Sequence, residues 1–308
     1  MRVVVAGLGV QGHKRRRIAG ADFVADADPK NPEAKHRRLE DVPVASYDTA
    51  LLCVPDDAKL KLINYLIQNK KNALVEKPLL GSEKELKELE LKARNQGVLI
   101  YTAYNHRFEP HFVRLRDTVR SGILGQLYHC RLFYGNGTAR LVRDSEWRDA
   151  GAGVLPDLGS HLLDTLRFWF DGWNGALRLV AADRFENRAP DHVVVSARGG
   201  MPAVDFEMTL LNWRNHFYCD LLAEKGSVHI RSLCKWGPSD FILRTRVLPS
   251  GRPPEETDTI VSEDPTWQLE YDWFKTACAA RRQTNLANDI FIGNSLAALE
   301  AQIQEKRA

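Results

Sequence analysis

A glycine-rich turn near the start of the chain constrains the fold more than any other feature. Residues 2 to 6 form a short, nearly all-apolar run, and Gly7-Leu-Gly9-Val-Gln-Gly12 follows it directly. In such a G-x-G-x-x-G pattern the first glycine permits a tight turn and the second lets the backbone approach a pyrophosphate. The third lets a helix pack closely on the sheet. The pattern therefore predicts a strand–turn–helix unit that binds a dinucleotide at the helix N-terminus.

The first 120 residues alternate between strand-like and helical patterns. Apolar residues recur at helical spacing from Asp57, and a capping box of Ser82 and Glu85 opens a second helix that ends at Gly97. This alternation predicts an α/β fold, in which residues 1–120 form a Rossmann domain with a doubly wound parallel sheet. Further strand-like runs occur at Phe23–Ala27, Ala50–Val54, Ala73–Val75 and Val98–Thr102.

The pattern changes in residues 121–308, where apolar residues alternate with polar ones, as at Val204, Phe206, Met208 and Leu210. This periodicity predicts an open, antiparallel or mixed sheet with one face covered. We expect Phe206, Met208, Leu210 and Trp213 to leave apolar surface on the open face, which would support a homo-oligomer, a dimer or a tetramer. Amphipathic helices are predicted at Gly159–Phe170, Trp267–Ala280 and Asn288–Gln304, and the final ones could pack back on the first domain.

Composition excludes several classes of protein. The 308 residues carry 43 Lys and Arg against 40 Asp and Glu, a net charge too small to indicate a nucleic-acid-binding protein. No apolar run approaches the roughly 18 residues that span a bilayer, and the N-terminus does not resemble a signal peptide. The five scattered cysteines show no C-x-x-C pair, so neither a disulfide framework nor a metal site is predicted. We therefore expect a cytoplasmic protein without membrane or nucleic-acid partners.

An acidic residue at the end of the second predicted strand bears on the cofactor. Asp28 follows Gly7 by about 20 residues, the spacing at which a carboxylate accepts hydrogen bonds from the adenosine ribose. Its charge would repel a 2′-phosphate, which favours NAD, although NADP is not excluded. Asp26 is the alternative acid. The basic run His13-Lys-Arg-Arg-Arg17 is interpreted as a solvated helix face, with a nucleic-acid patch as the alternative.

Two further motifs carry candidate chemistry. Glu76-Lys77-Pro78 follows a predicted strand directly, and the carboxyl ends of parallel strands border the crevice where ligands bind. A surface loop is the other interpretation of this motif. Asp157 and His161 are four residues apart, so on one helix they would share a face, as a base and a nearby carboxylate require. An N-capping Asp with a packed His is the alternative.

Together, in this order, the motifs resemble the Gfo/Idh/MocA family of NAD(P)-dependent oxidoreductases. The resemblance extends from residue 2 to the C-terminal helices and includes the segments Tyr104-Asn-His-Arg-Phe108 and Trp147-Arg148. It implies that residues 121–308 form a C-terminal α/β domain with a large open, mostly antiparallel sheet, which binds substrate and mediates oligomerisation. It implies that Lys77, Asp157 and His161 are the active-site residues. It also implies cofactor contacts from Gly7, Gly9, Val10, Gln11, Gly12, Asp28, Pro55, Glu76 and Lys77, and substrate contacts from Asn105, Arg107, Trp147 and Arg148.

The chain departs from the family pattern at two positions near the cofactor. Arg15 stands where the first helix often has a histidine, and Lys59 replaces a histidine that commonly follows the fourth strand. The segments between Gly12 and Asp28, and between Asp28 and Glu76, are also short for the family. These departures concern the details of cofactor contact.

The resulting expectation is an enzyme, a dehydrogenase or reductase that transfers a hydride between NAD(P) and a secondary alcohol of a sugar, cyclitol or nucleotide sugar. His161 would accept the hydroxyl proton, Lys77 would stabilise the developing alkoxide, and Asp157 would support this pair. The alternatives are an NAD-dependent glycosidase and a non-catalytic cofactor-binding regulator. Arg140, Arg143 and Arg148 would suit an anionic substrate, and an ordinary solvated loop is equally compatible with them.

Overall fold

The structure, a computed structural model, describes residues 1–145 and 148–306. Contacts divide the chain into two compact units. The first unit comprises Met1–Asn105 and Trp267–Asn294, and the second comprises His106–Thr266 and Ser295–Ala308. The bounds 1–120 and 121–308 for the functional domains stay a prediction.

Thirteen strands and eight α-helices are described. The strands are β1 Val3–Ala6, β2 Phe23–Ala27, β3 Thr49–Leu52, β4 Asn72–Glu76, β5 Ile100–Ala103, β6 Leu127–Gly135, β7 Ala176–Asp183, β8 His192–Arg198, β9 Ala203–Thr209, β10 His216–Ala223, β11 Gly226–Arg231, β12 Ser239–Thr245 and β13 Glu255–Ile260. The helices are α1 Val10–Ala19, α2 Asp56–Gln68, α3 Glu83–Gln96, α4 Pro110–Arg120, α5 Ala139–Arg143, α6 Ser160–Trp169, α7 Thr266–Ala279 and α8 Ala287–Glu305. Within the described ranges, none of these helices combines the length and the apolar character that crossing a bilayer requires.

The first unit is built on a parallel sheet with the strand order β2-β1-β3-β4-β5. Successive residues of β1 point to opposite faces of the sheet. On one face Val4 belongs to an apolar cluster that includes Ile63 of α2, and on the other face Val5 belongs to a cluster that includes Phe274 of α7. Because both faces are buried, the strands are mostly apolar, as the sequence predicts, although β2 contains Asp26 and β4 ends at Glu76. The predicted doubly wound parallel sheet is confirmed.

The second unit contains an eight-stranded sheet with the order β13-β12-β11-β10-β6-β9-β8-β7. β6 and β9 pair in parallel, and every other neighbouring pair is antiparallel. The prediction of a large, mostly antiparallel sheet is therefore confirmed.

The prediction that Phe206, Met208, Leu210 and Trp213 leave apolar surface on the open face is wrong. Phe206, Met208 and Leu210 are buried, because the inward positions of β9 pack against the chain near Gly159. The alternate positions of the sheet carry ion pairs instead, for example His129 with Asp205 and His229 with Asp220. Trp213 is fully exposed, but it lies in the loop between β9 and β10. The open face thus combines these ion pairs with Phe133, Tyr218 and Leu222, and the four residues named in the prediction do not supply an apolar surface there.

Candidate active site

The glycine-rich turn between β1 and α1 has the shape that a dinucleotide requires. Gly7 has a φ of +87°, and a Cβ atom there would lie 2.3 Å from the carbonyl oxygen of Cys53. A Cβ atom on Gly12 would lie 1.8 Å from the carbonyl oxygen of Gly7, so neither position admits a side chain. A Cβ atom on Gly9, in contrast, would meet no atom within 4 Å. The backbone at Gly9 therefore borders open space beside the N-terminus of α1, where a pyrophosphate would fit.

Asp28 lies next to this turn and is organised by backbone groups. Its carboxylate accepts hydrogen bonds from the backbone N–H groups of Leu8 at 2.7 Å, Lys30 at 2.7 Å and Asn31 at 2.8 Å. Burial would raise the pKa of this carboxyl, but the three donors outweigh burial and lower it. An ionised Asp28 fits the predicted contact with a ribose. Asp26, the alternative acid, is buried and accepts from the N–H of Lys35.

Arg15 is buried in the first unit, which corrects the interpretation of residues 13–17 as a solvated helix face at this position, whereas His13, Arg16 and Arg17 are exposed. Its Nε donates to Glu76 at 2.7 Å and its Nη2 donates to Glu270 at 2.7 Å. Burial disfavours the charge of Arg15, but the two carboxylates more than offset this and raise the pKa of the guanidinium. The ring of Trp267 lies 4.2 Å from the guanidinium carbon. Arg15 thus fixes Glu76, the residue directly before Lys77.

Lys59 contacts Pro78, the residue directly after Lys77. The side chain of Lys59 is buried in the first unit, where its Nζ donates to the carbonyl oxygen of Pro78 at 2.7 Å and pairs with Asp56 at 2.6 Å. Arg15 and Lys59, the two departures from the family pattern, therefore contact the residues on either side of Lys77. Pro55 is the N-cap of α2.

In the second unit, Asp157 and His161 lie on two different kinds of helical turn. Asp157 belongs to a π-helical turn, Leu155–Gly159, and His161 belongs to the first turn of α6. The prediction of one helix from Gly159 is nearly right, but the spacing argument assumed an α-helix at Asp157 as well. His161 is buried, whereas the Asp157 side chain is 43% exposed and lies 3.8 Å from the guanidinium of Arg148.

Two aromatic rings lie beside His161. The imidazole of His106 stacks on that of His161, with a centroid distance of 4.2 Å and an interplanar angle of 21°. Tyr134 lies 6.1 Å from His161 and 5.8 Å from Trp236, again between ring centroids. Burial, together with the charges of Asp157 and Asp264, raises the pKa of Tyr134. His106 and Tyr134 are thus neighbours of the candidate base that the sequence analysis missed, and Trp236 contacts Tyr134.

The predicted substrate residues have varied environments. Arg107 donates to Asp164 through Nε, at 3.0 and 3.1 Å, and through Nη2 as well. Asn105 is buried, and Arg140 and Arg143 are exposed on the short helix α5. Trp147 lies outside the described residues. Val10 and Gln11 are exposed at the start of α1.

The chain is similar to known proteins in sequence. A family model described as the GFO/IDH/MocA C-terminal domain matches residues 112–229. The trans-1,2-dihydrobenzene-1,2-diol dehydrogenase of Mus musculus is 29% identical over 176 residues, which cover 56% of this chain and 51% of that protein. The chain thus spans about half the length of the curated relatives it matches.

Solved structures share the fold over nearly the whole chain. Levoglucosan dehydrogenase in complex with NADH has a TM-score of 0.81 and 16% identity, covering 99% of this chain and 96% of that one. UDP-N-acetylglucosamine 3-dehydrogenase from Acidithiobacillus ferrooxidans has a TM-score of 0.76 and 16% identity, covering 98% and 96%. At 16% identity, these similarities establish the fold alone.

Proposed function

We propose that the chain is an NAD-dependent dehydrogenase of the Gfo/Idh/MocA type that oxidises a secondary alcohol of a sugar-like substrate. The match of that family's C-terminal-domain model to residues 112–229 supports this assignment. The main support is the first unit, in which a glycine turn that borders open space, an ionised Asp28 and a fixed Glu76-Lys77-Pro78 segment occur together. Relatives named for dihydrobenzenediol and levoglucosan support a cyclic substrate with secondary hydroxyl groups.

We assign a role to each candidate catalytic residue. Bound NAD would supply the hydride acceptor. The imidazole of His161 accepts the proton of the reacting hydroxyl group. The substrate carbon that bears this hydroxyl group loses a hydride to the bound cofactor and becomes a carbonyl carbon. The ammonium group of Lys77 donates a hydrogen bond to the same oxygen and stabilises its negative charge. Asp157 supports the charge that develops on His161.

The remaining contacts follow the same proposal. Gly7, Gly9 and Gly12 would hold the pyrophosphate with Val10 and Gln11, and Asp28 would bind the adenosine ribose. Asn105, Arg107 and Arg148 are proposed to position the substrate. A homo-oligomer and a cytoplasmic location stay predictions; light scattering would test the first.

Lys77→Met tests the catalytic part of the proposal, with the exposed Lys84→Met on α3 as the control. Wild type and variants are incubated with NAD and a panel of cyclic polyols, sugar acids and nucleotide sugars, and NADH formation is measured. We expect Lys77→Met to lower kcat by about 100-fold or more while its calorimetric affinity for NADH changes little. Full activity of this variant, or loss of NADH binding, would refute the role of Lys77.

The same assays separate the alternatives. Because Asp28 is ionised, NADPH should bind more weakly than NADH. Release of an aglycone without net NADH formation would indicate a glycosidase. Binding of NADH without turnover across the panel would indicate a regulator.

A further inference from the structure

The stacked pair of imidazoles in the second unit has a consequence for the proposed base. His106 is 3% exposed, and the rings of Phe112 and Tyr134 lie 5.9 and 5.5 Å from it, between centroids. A charged His106 would be cut off from water and would repel a charge on His161, so the two rings should not both be positively charged. His161 is the more exposed ring, at 8%.

The position of His106 is fixed by its neighbours in the chain. Arg107, the next residue, binds Asp164 with two donor nitrogens, and Asp164 lies one turn after His161 on α6. The N–H of Glu109 donates to the carbonyl oxygen of His106. This short helical turn is therefore held against α6 in the register that places one imidazole on the other.

We infer that His106 is a positioning residue, which holds the ring of His161 and presents an aromatic face that stabilises the protonated base. This inference rests on the proposed function of His161. A cation within about 6 Å of an aromatic centroid is attracted by the ring, most strongly where water is excluded. The stack therefore favours the state of His161 that forms when it accepts the substrate proton.

Other groups also act on His161, and they must stay constant in a test. Tyr134 faces it from β6, Asp157 precedes it by one turn and is approached by Arg148, and Asp164 is neutralised by Arg107. The proposed function adds the ammonium group of Lys77. None of these groups is altered by a substitution at residue 106.

The test compares His106→Leu, which removes the aromatic face, with His106→Phe, which restores it without a titratable group. The acid limb of kcat/KM reports the ionisation of the base. We expect this limb to move to lower pH by about 0.5 to 1 unit in His106→Leu and to stay near its wild-type position in His106→Phe. His111→Leu, which alters a buried histidine outside the stack, should leave the limb unchanged.

NMR of histidine-labelled protein measures the same ionisation without turnover, with the His161 signal assigned from His161→Asn. The wild-type ring of His161 should show the upfield shift that a stacked ring causes, and this readout needs no variant at residue 106. Absence of that shift, or equal titration of His161 in wild type and the Leu and Phe variants, would overturn the inference. An equal displacement in both variants would also overturn it, because lost hydrogen bonds would then explain the effect. Wild-type turnover of His161→Asn would instead refute the proposed function.

Discussion

The segment around Lys77 and the surroundings of His161 are held in place by different forces. In the first unit, buried charges fix both neighbours of Lys77: Arg15 binds Glu76 and Glu270, and Lys59 binds the carbonyl oxygen of Pro78. In the second unit, the rings of His106 and Tyr134 lie beside His161, and the ion pairs of Asp157 with Arg148 and of Asp164 with Arg107 lie one turn away on either side.

This difference matters because the two kinds of contact fail differently. A buried ion that loses its partner leaves an uncompensated charge, which costs far more than the contact itself contributed. A ring that is replaced by another apolar group of similar size leaves only a packing defect. The segment of Lys77 should therefore tolerate substitution poorly, and the surroundings of His161 should tolerate a change of ring.

The largest effect is expected at Arg15. Arg15→Met leaves the buried carboxylate of Glu270 and the half-buried carboxylate of Glu76 without this cation, so the free energy of unfolding should fall by about 3 to 5 kcal/mol. Arg17→Met, at an exposed position of the same helix, should change it by no more than about 0.5 kcal/mol. Denaturant titration measures both. Equal stability of the two variants would show that the buried charges do not hold this segment.

A smaller effect is expected at Lys59. Lys59→Met removes the donor to the carbonyl oxygen of Pro78 and should lower the free energy of unfolding by about 1 to 3 kcal/mol. Asp56, the other partner, is exposed and can be hydrated after the change. The matched control is Lys61→Met, which lies at an exposed position of α2. If both variants unfold at the same denaturant concentration, the contact with Pro78 adds no stability.

The smallest effect concerns Glu109, a buried acid in the second unit whose carboxylate accepts from the N–H and thiol of Cys234. Burial raises its pKa, although the contacts with Cys234 oppose this. Ionisation is therefore disfavoured in the folded state, and the protein should lose stability as pH rises above about 4.3, the ordinary value for Glu. As pH rises through this range, the free energy of unfolding of Glu109→Gln should increase relative to that of wild type, by about 1 kcal/mol or less. Thermal melts of both proteins at several pH values test this expectation. A stability difference in favour of Glu109→Gln that shrinks with rising pH would contradict it.

Much of the fold could be predicted because its signals are local. The run Phe23–Ala27 coincides with β2. The capping box at Ser82 predicted the start of α3, and Gly97 predicted its end. β13 was missed because it is an exposed strand, Glu-Glu-Thr-Asp-Thr-Ile, with no apolar alternation. The start of α4 at Pro110 was also missed, although proline at the first helical position was an available signal.

Only those parts of the candidate site that belong to a short sequence motif could be predicted. The glycine turn could be recognised from three glycines, but the burial of Arg15 depends on Glu270, which is distant in the sequence. Arg15 looks like its basic neighbours until its partners are known. The stack of His106 on His161 likewise joins two segments far apart in the chain, and no spacing rule would bring them together.

The most direct test of the account is the pH dependence of kcat/KM for wild type and His161→Asn. Asparagine retains a hydrogen-bonding group of similar reach but cannot accept a proton at neutral pH. Wild-type kcat/KM should rise with pH through one ionisation, because the base must be deprotonated. His161→Asn should still bind NADH but lose this dependence and about 100-fold or more in kcat. A variant with the wild-type rate and the same pH profile would show that the base lies elsewhere.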